Sequence, residues 1–476
     1  MEATNESGWA MNEFHDVNLG DERLNKRLIK LFDSLSESPE SPINQACGDW
    51  AETKAAYRFF QNENVVPEEI LKSHKLRTQE RVQKHETVLA IQDTSYIMYT
   101  SHPSTTGIAK LTVKKGKRVD RIYSKGLLMH SCLACTTDGV PLGLLDQNIF
   151  SRSPDKPALR GRTKDVTPIE DKESYRWLEM LQNSTGFAAA TRVVTVCDRE
   201  ADMYEFFQLS HEIQSPVLVR ASHNRAVNKR SMYTEDRIVR LWEHLEQESC
   251  AGSVEIEVPS RKGSKHTLPR AARTARLELR YSSLKLNPPK RLSSQNPDID
   301  MCGILLQEVD PPHGVEPLEW MLLTNISVEN FDQAYEKVQW YCLRWRIESF
   351  HRVLKSGFNV EKCRLETADR LMRYLTVMSI IAWRLFMITL IARTNPDLPC
   401  NSFLEDDEWR VLFRKVHRNR KPPRKAPTMA QAIIWIAQLG GFLNRKSDGN
   451  PGPTHLWRGW KRLHDITHGF KLAMGT

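Results

Sequence analysis

At 476 residues and 55.0 kDa the chain exceeds one ordinary domain, and about three, with at least one sizeable core, is the expectation. Its 40% hydrophobic and 27% charged residues, with 22 Gly and 24 Pro spread along its length, exclude collagen-like, mucin-like and low-complexity chains. Lys and Arg outnumber Asp and Glu by 68 to 59, a formal +9 that names no partner by itself; residues 261–276 and 410–425, however, are dense in Arg and Lys without a single acid, the mark of a nucleic-acid contact or of a solvated loop.

Residues 1–66 read as a small helical unit. Within 21–36, Leu24, Leu28, Leu31 and Leu35 recur at helical spacing as a core face, and Arg23, Lys26, Arg27 and Lys30 form a second, basic stripe. Residues 49–61 predict another helix with Lys54 and Arg58 outward. Such a pair suits phosphate binding, and equally a solvated surface. Pro67-Glu68-Glu69 opens a third helix running to about Lys84. Two apolar, β-rich runs, 88–93 and 193–198, then each close on an aspartate, Asp93 and Asp198. Strands buried on both faces of an α/β sheet have this pattern, and chemistry in such sheets gathers at their carboxyl ends.

Cys132 and Cys135 lie within the apolar run 127–136, with no second Cys-x-x-Cys, so a core strand is favoured over a metal or redox site. Nine scattered cysteines and a start without signal-peptide features make a reducing, cytosolic setting without disulfides the expectation. Val254/Ile256/Val258, Ala275/Leu277/Leu279/Tyr281 and 318–323 alternate with period two, predicting a β-rich insertion. One long helix is predicted over 331–356, stopped by Gly357, and an apolar helix over 371–392. The uncharged stretches on either side of Arg384 are each too short to span a membrane, so none is expected as a partner. After Pro396 and Pro399, a Thr428–Gln431 capping box opens a helix to Leu439, and Leu456, Trp460, Leu463 and Phe470 recur at helical spacing. The apolar faces of these two helices suit a C-terminal dimer contact or an internal core.

On a continuous helix Tyr341, Arg344, Glu348 and Lys355 fall at about 0°, 300°, 340° and 320°. A phenol, a guanidinium, a carboxylate and an ammonium in one stripe suit a metal ion and a run of phosphates, although an exposed salt-bridged face has the same pattern. This Y-x2-R-x3-E-x6-K spacing, with Asp93 in AIQDTS and Asp198 in CDREAD, resembles the bacterial DDE transposases of the insertion-sequence-four group, especially the transposon-five branch. Looser similarity, from LGDERLNKR and AYRFF to LGGF and LWRGW, extends over nearly the whole chain.

The resemblance implies an α/β fold: an RNase-H-like catalytic core over 67–395 with a β-rich insertion at about 230–325, flanked by helical N-terminal (1–66, end-binding) and C-terminal (396–476, dimerisation and DNA contact) domains. It implies that Asp93, Asp198 and Glu348 are catalytic and hold metal. Three carboxylates, with about −3 of charge and only oxygen donors, suit two Mg²⁺ or Mn²⁺ ions facing a scissile phosphate. Tyr341, Arg344 and Lys355 are then phosphate contacts, Arg220 a basic neighbour, and Arg23, Lys26, Arg27, Lys30 and Arg58 contacts to transposon ends. Members of this branch cut by nick, hairpin and hairpin opening before strand transfer, and stack a flipped base on a tryptophan; Trp320 matches that position and Trp345 is a second aromatic candidate. Double-stranded DNA and a homodimeric synaptic complex are the implied partners, in the bacterial cytoplasm and on the nucleoid when DNA-bound. A stand-alone two-metal nuclease and a non-catalytic end-binding regulator are the alternatives. The longer spacing from the second aspartate to the glutamate, and the shorter region beyond Glu348, leave individual base contacts open.

Overall fold

The computed structural model describes residues 8–113, 122–152, 167–228, 239–258, 260, 271–292, 296–446 and 448–474. Helices α1 (Trp9–Phe14), α2 (Glu22–Glu37), α3 (Ile43–Ala46), α4 (Trp50–Gln61) and α5 (Pro67–Val82) come first. α2 begins where the Asp21 carboxylate accepts the Arg23 amide, and it turns Leu28, Leu31, Phe32 and Leu35 inward. Asp49 caps α4 on the Glu52 amide, and Ala56, Phe59 and Phe60 are buried. α5 starts on Pro67, whose missing N–H is harmless there, with Glu68 and Glu69 beside the positive end of the helix dipole. The three helices expected in this stretch are therefore present. A buried polar cluster docks α1 on α5: Glu13 takes His74 Nδ1 at 2.6 Å and Arg81 at 2.9 and 3.0 Å, while the Leu144 amide donates to His74 Nε2 at 2.9 Å. That pattern fixes His74 as the neutral Nδ1–H tautomer, in keeping with the burial that lowers its pKa.

Strands β1 (Thr87–Met98), β2 (Lys110–Val113), β3 (Ile122–Thr136) and β4 (Pro141–Phe150) lead through α6 (Tyr175–Ser184) to β5 (Arg192–Cys197), and through α7 (Tyr204–Glu212) to β6 (Val217–Arg220). After α8 (Leu241–Glu246) come β7 (Gly252–Val258), β8 (Arg273–Leu286), β9 (Ile299–Glu308) and β10 (Glu319–Thr324). They make one mixed sheet in the order β2-β3-β1-β5-β6-β10-β9-β8-β7, with β4 also on β3. β1, β5 and β6 are parallel, and Val88–Ile91 at the sheet centre are fully buried, as their continuous apolar run requires. The β-rich insertion is no separate module. Its strands extend the catalytic sheet from the β6 edge, where Leu322 pairs with Arg220, and Leu305, Met321 and Leu323 share a core with Val217 and Val219. Cys132 and Cys135, three apart on β3, point to opposite faces and into separate core layers. Burial pushes both thiols up, Cys135 to about 12, so the core expectation for this pair holds.

The remaining helices are α9 (Phe331–Cys342), α10 (Trp345–Arg352), α11 (Ala368–Thr394), α12 (Asp406–Val416), α13 (Met429–Leu439) and α14 (Pro453–Met474). The single helix expected over 331–356 is broken at Leu343–Arg344 and widens into a π-helical turn over Val353–Gly357. Both irregularities lie where other segments pack closely. A Cβ on Gly139, in the β3–β4 turn, would meet Leu343 and Arg346 at 2.8 Å, and one on Gly357 would meet Trp457 at 2.9 Å. α11 is long and apolar enough to cross a membrane by composition, but 83% of its apolar window lies inside the protein. Arg384 does not divide it, because its guanidinium lies over the Trp9 ring at 4.2 Å.

The capping box at Thr428 and Gln431 is present. The faces considered for dimer contact are largely used internally, since Ile433, Ile436, Leu456, Trp460 and Leu463 belong to the main core, while Phe470 is half-buried outside it. α13 and α14 approach so closely that a Cβ on Gly440 would lie 1.8 Å from the His455 carbonyl oxygen, and one on Gly459 1.7 Å from that of Ile436.

Candidate active site

β1 and β5 pair in parallel up to Ile91 opposite Val196; two residues beyond the last pair on each strand come Asp93 and Asp198, close enough for the charge of one to act on the other. Asp198 opens a short 3₁₀ turn by accepting the Glu200 amide at 2.8 Å. Burial pushes its carboxyl above the ordinary value and the charge of Asp93 adds to this, against the Glu200 amide and the guanidinium groups of Arg344 and Arg176. A buried carboxyl whose proton affinity is raised further by a neighbouring carboxylate marks a place that favours added positive charge.

Glu348 enters from the first turn of α10, where Arg344 donates to it at 2.5 Å. Arg344 is 7% exposed, and its charge bears on Asp93 and Asp198 as well. One turn on, His351 Nδ1 lies 3.7 Å from Asp93, and its Nε2 is 3.5 Å from Ser131, the residue paired with Asp93 on β3. Among the described residues no three His, Cys, Asp or Glu side chains already converge around one point where an ion could sit, and Glu348 is turned onto Arg344. The donor set itself fits a hard cation, since Asp93, Asp198 and Glu348 offer only carboxylate oxygen.

Beside the acids, Tyr341 is buried, and its ring meets Trp320 edge-on at 5.5 Å between centroids. Trp320 is half-buried on β10. The neighbouring Arg220 donates to the Glu319 carbonyl at 2.9 Å, and burial shifts its guanidinium down and the Tyr341 phenol up. Trp345 is 56% exposed, with Arg344 over its ring at 4.9 Å. Lys355, in the π-helical turn, donates to the Tyr96 carbonyl at 2.7 Å, three residues beyond Asp93. The fold thus gathers the three acids with Tyr341, Arg344, Lys355, Arg220 and Trp320, although the helix expected to align four of them is discontinuous.

The N-terminal basic residues divide into two groups. Arg27 and Lys30 both hold Glu52 of α4, the lysine at 2.7 Å, whereas Arg23 and Lys26 are mostly exposed beside Asp21 and Glu22 of their own helix start. Arg58 is exposed on α4, as are Trp50 and Tyr57. Of the basic run 261–276, residues 261–270 lie outside the described residues, and Arg273 pairs with Glu308. One member of the site has no signal in the sequence. Arg176 of α6 donates to Thr94 at 3.0 Å and to Glu200 at 2.8 Å, partners 82 and 24 residues away that no local spacing could connect.

Three family models match the chain in series: transposase DNA-binding over residues 6–65, the transposase DDE domain over 172–384, and the transposase Tn5 dimerisation domain over 380–475. The DDE model takes in Asp198 and Glu348 and begins beyond Asp93. A mixed sheet with these acids and that domain defines a DNA transposase, an enzyme that cleaves DNA with divalent metal. More particularly, with all three modules in order, the chain belongs to the Tn5-type DDE transposases, with a DNA-binding and a dimerisation module about the catalytic one. Among solved structures it is similar to a piggyBac transposase synaptic complex with hairpin DNA determined by cryo-EM, at 9% identity and a TM-score of 0.35, over 98% of this chain and 75% of the other. So distant a likeness adds nothing to the assignment.

Proposed function

We propose that this transposase works by cut and paste: it nicks the transposon end, lets the freed 3′-hydroxyl form a hairpin with the opposite strand, opens the hairpin, and joins the end to target DNA. The observation that supports this best is the meeting of Asp93 and Asp198 at parallel strand ends, with Arg344 holding Glu348 alongside. Two Mg²⁺ or Mn²⁺ ions bound by Asp93, Asp198 and Glu348 would polarise the phosphate and activate the attacking hydroxyl. Arg344 and Lys355 hold flanking phosphates, and Tyr341 donates its phenol to another. Trp320, against Tyr341 and near Arg220, offers its face to an unpaired base, with Trp345 the exposed second candidate.

In this scheme residues 1–66 grip the ends through Arg23, Lys26, Arg27, Lys30 and Arg58, residues 67–395 catalyse, and residues 396–476 join two subunits in a synaptic homodimer. The setting is the bacterial cytoplasm, in association with the nucleoid when DNA is bound. Purified protein incubated with Mg²⁺ and a plasmid carrying candidate ends should yield nicks, then hairpins, then joined products. Metal-dependent cutting without joining would leave a nuclease in its place, and end binding without cutting a regulator.

A further inference from the structure

The hydrogen-bonded ladder between β1 and β5 has its last pair at Ile91 and Val196, two residues short of the aspartates. Backbone pairing between these two strands therefore does not fix the distance between Asp93 and Asp198. The side chain of Arg176, only 10% exposed, lies across this gap. Its Nε donates to Thr94 Oγ1 at 3.0 Å, next to Asp93; one terminal nitrogen donates to Glu200 Oε2 at 2.8 Å, two residues after Asp198; the other donates to the Glu173 carbonyl at 2.7 Å.

Both anchor points are themselves held. Thr94 Oγ1 lies 2.9 Å from Nδ1 of His130, its partner on β3, so it can accept from Arg176 and donate to a buried neutral imidazole. The Glu200 amide is bound to the Asp198 carboxylate at 2.8 Å, so whatever fixes Glu200 also fixes Asp198. A planar guanidinium, with its donors in a rigid fork, can meet three acceptors on three segments; an ammonium in the same place keeps the charge and loses the span.

We propose that Arg176 is a positioning residue that sets the separation of Asp93 and Asp198 and holds the Glu200 carboxylate away from the cation they share. The proposal rests on Asp93 and Asp198 being metal ligands. Groups behind metal ligands typically govern affinity by roughly 10- to 100-fold, and Arg176 is expected to act on that scale.

The test uses the full-length protein without DNA, and Mn²⁺ as probe, with free Mn²⁺ followed by electron paramagnetic resonance. Arg176→Lys should weaken Mn²⁺ binding at least tenfold, and Thr94→Val should weaken it in the same direction. Both should leave metal-free binding of end DNA unchanged, which a general loss of fold would not. If Arg176→Lys melts early, Thr94→Val decides alone. Wild-type affinity in Thr94→Val, or in a stable Arg176→Lys, overturns the clamp while the ligands stand. Asp93→Ala is the control that separates the two failures: if the wild type binds no better than this variant, the ligand assignment falls and the clamp with it.

Discussion

Asp93 and Asp198 were visible in the sequence because each ends an apolar run, and the parallel pairing of β1 and β5 brings the two strand ends to the same edge of the sheet without itself fixing the gap between the aspartates. Glu348 was visible through its spacing from Tyr341, Arg344 and Lys355, and its bond to Arg344 is the contact that a four-residue helical step permits. Replacing any one of Asp93, Asp198 or Glu348 with alanine should abolish nicking, hairpin formation and joining together, with end binding preserved in a gel-shift assay. Near-normal cleavage by one of these variants would remove that residue from the site. Trp320 is half-buried with Tyr341 at its edge, a position open both to packing and to stacking. If a base unstacks against it, Trp320→Ala should slow hairpin formation more than the first nick, since the lost stacking is worth on the order of a few kcal/mol. Equal slowing of both steps with a lower melting temperature would give the residue a packing role instead. Arg176 was not visible, because its partners come together only when β1, α6 and the turn after β5 are assembled.

The amphipathic helices were legible as elements, but what their faces touch was not. On α2 the four basic residues have the same periodicity, yet Arg27 and Lys30 are bound to Glu52 and dock α2 on α4, while Arg23 and Lys26 remain mostly in solvent. Neutralising Arg23 and Lys26 should therefore flatten the log–log salt dependence of end binding by roughly 1.8 units if both meet phosphates of B-DNA. An unchanged slope would leave the pair as solvated surface. Neutralising Arg27 and Lys30 should also loosen the helix pair, seen as earlier melting. The discontinuity between α9 and α10 was illegible from local spacing, and the Gly139 turn that packs closely against it lies two hundred residues upstream in the chain, on the order of two ordinary domains away. Gly440 in LGGF and Gly459 in LWRGW have a steric explanation that only the crossing of α13 and α14 supplies. Gly459→Ala would press a methyl group onto the Ile436 carbonyl and force the helices apart, and a destabilisation of at least 1–3 kcal/mol is expected from such overpacking. A melting temperature equal to wild type would show that the crossing yields without cost.

Across the whole molecule one hydrophobic core runs from Ala10 in α1 through the sheet and α11 to Leu463 in α14, so the N-terminal and C-terminal regions are bound to the catalytic sheet. The sequence marked these regions as separate units, because composition shifts at linkers are visible while burial across them is not. Where α2, α11, α12 and α14 meet, several acids gather about one buried carboxyl, that of Glu408. Glu408 is 6% exposed, accepts the Glu405 amide at 2.7 Å, and is pushed up to about 7 by burial, against the attraction of Arg384 and Lys471. Asp33 is pushed up to about 6, by burial and then by Glu37. His464, 3.6 Å from Glu408, is driven down to about 4 by burial and brings no compensating charge at neutral pH. Between about 4.5, the value of a free glutamate, and about 7, the folded chain keeps a proton on Glu408 that the unfolded chain has released. Its contribution to stability is therefore full below about 4.5 and is lost as pH rises towards 7. Glu13 has the opposite sign: burial pushes it up, but Arg81 and His74 together hold it at about 2, so its contribution is present above about 4.5 and is lost on acidification. Glu408→Gln keeps an acceptor for the Glu405 amide and removes the titration. At pH 8 it should stabilise the protein by on the order of 3 kcal/mol, and at pH 4.5 the advantage should nearly vanish. Melting temperatures of wild type and variant, measured at both values, should diverge at the higher pH and meet at the lower; a gap of equal size at both would place the effect in packing and not in the buried charge.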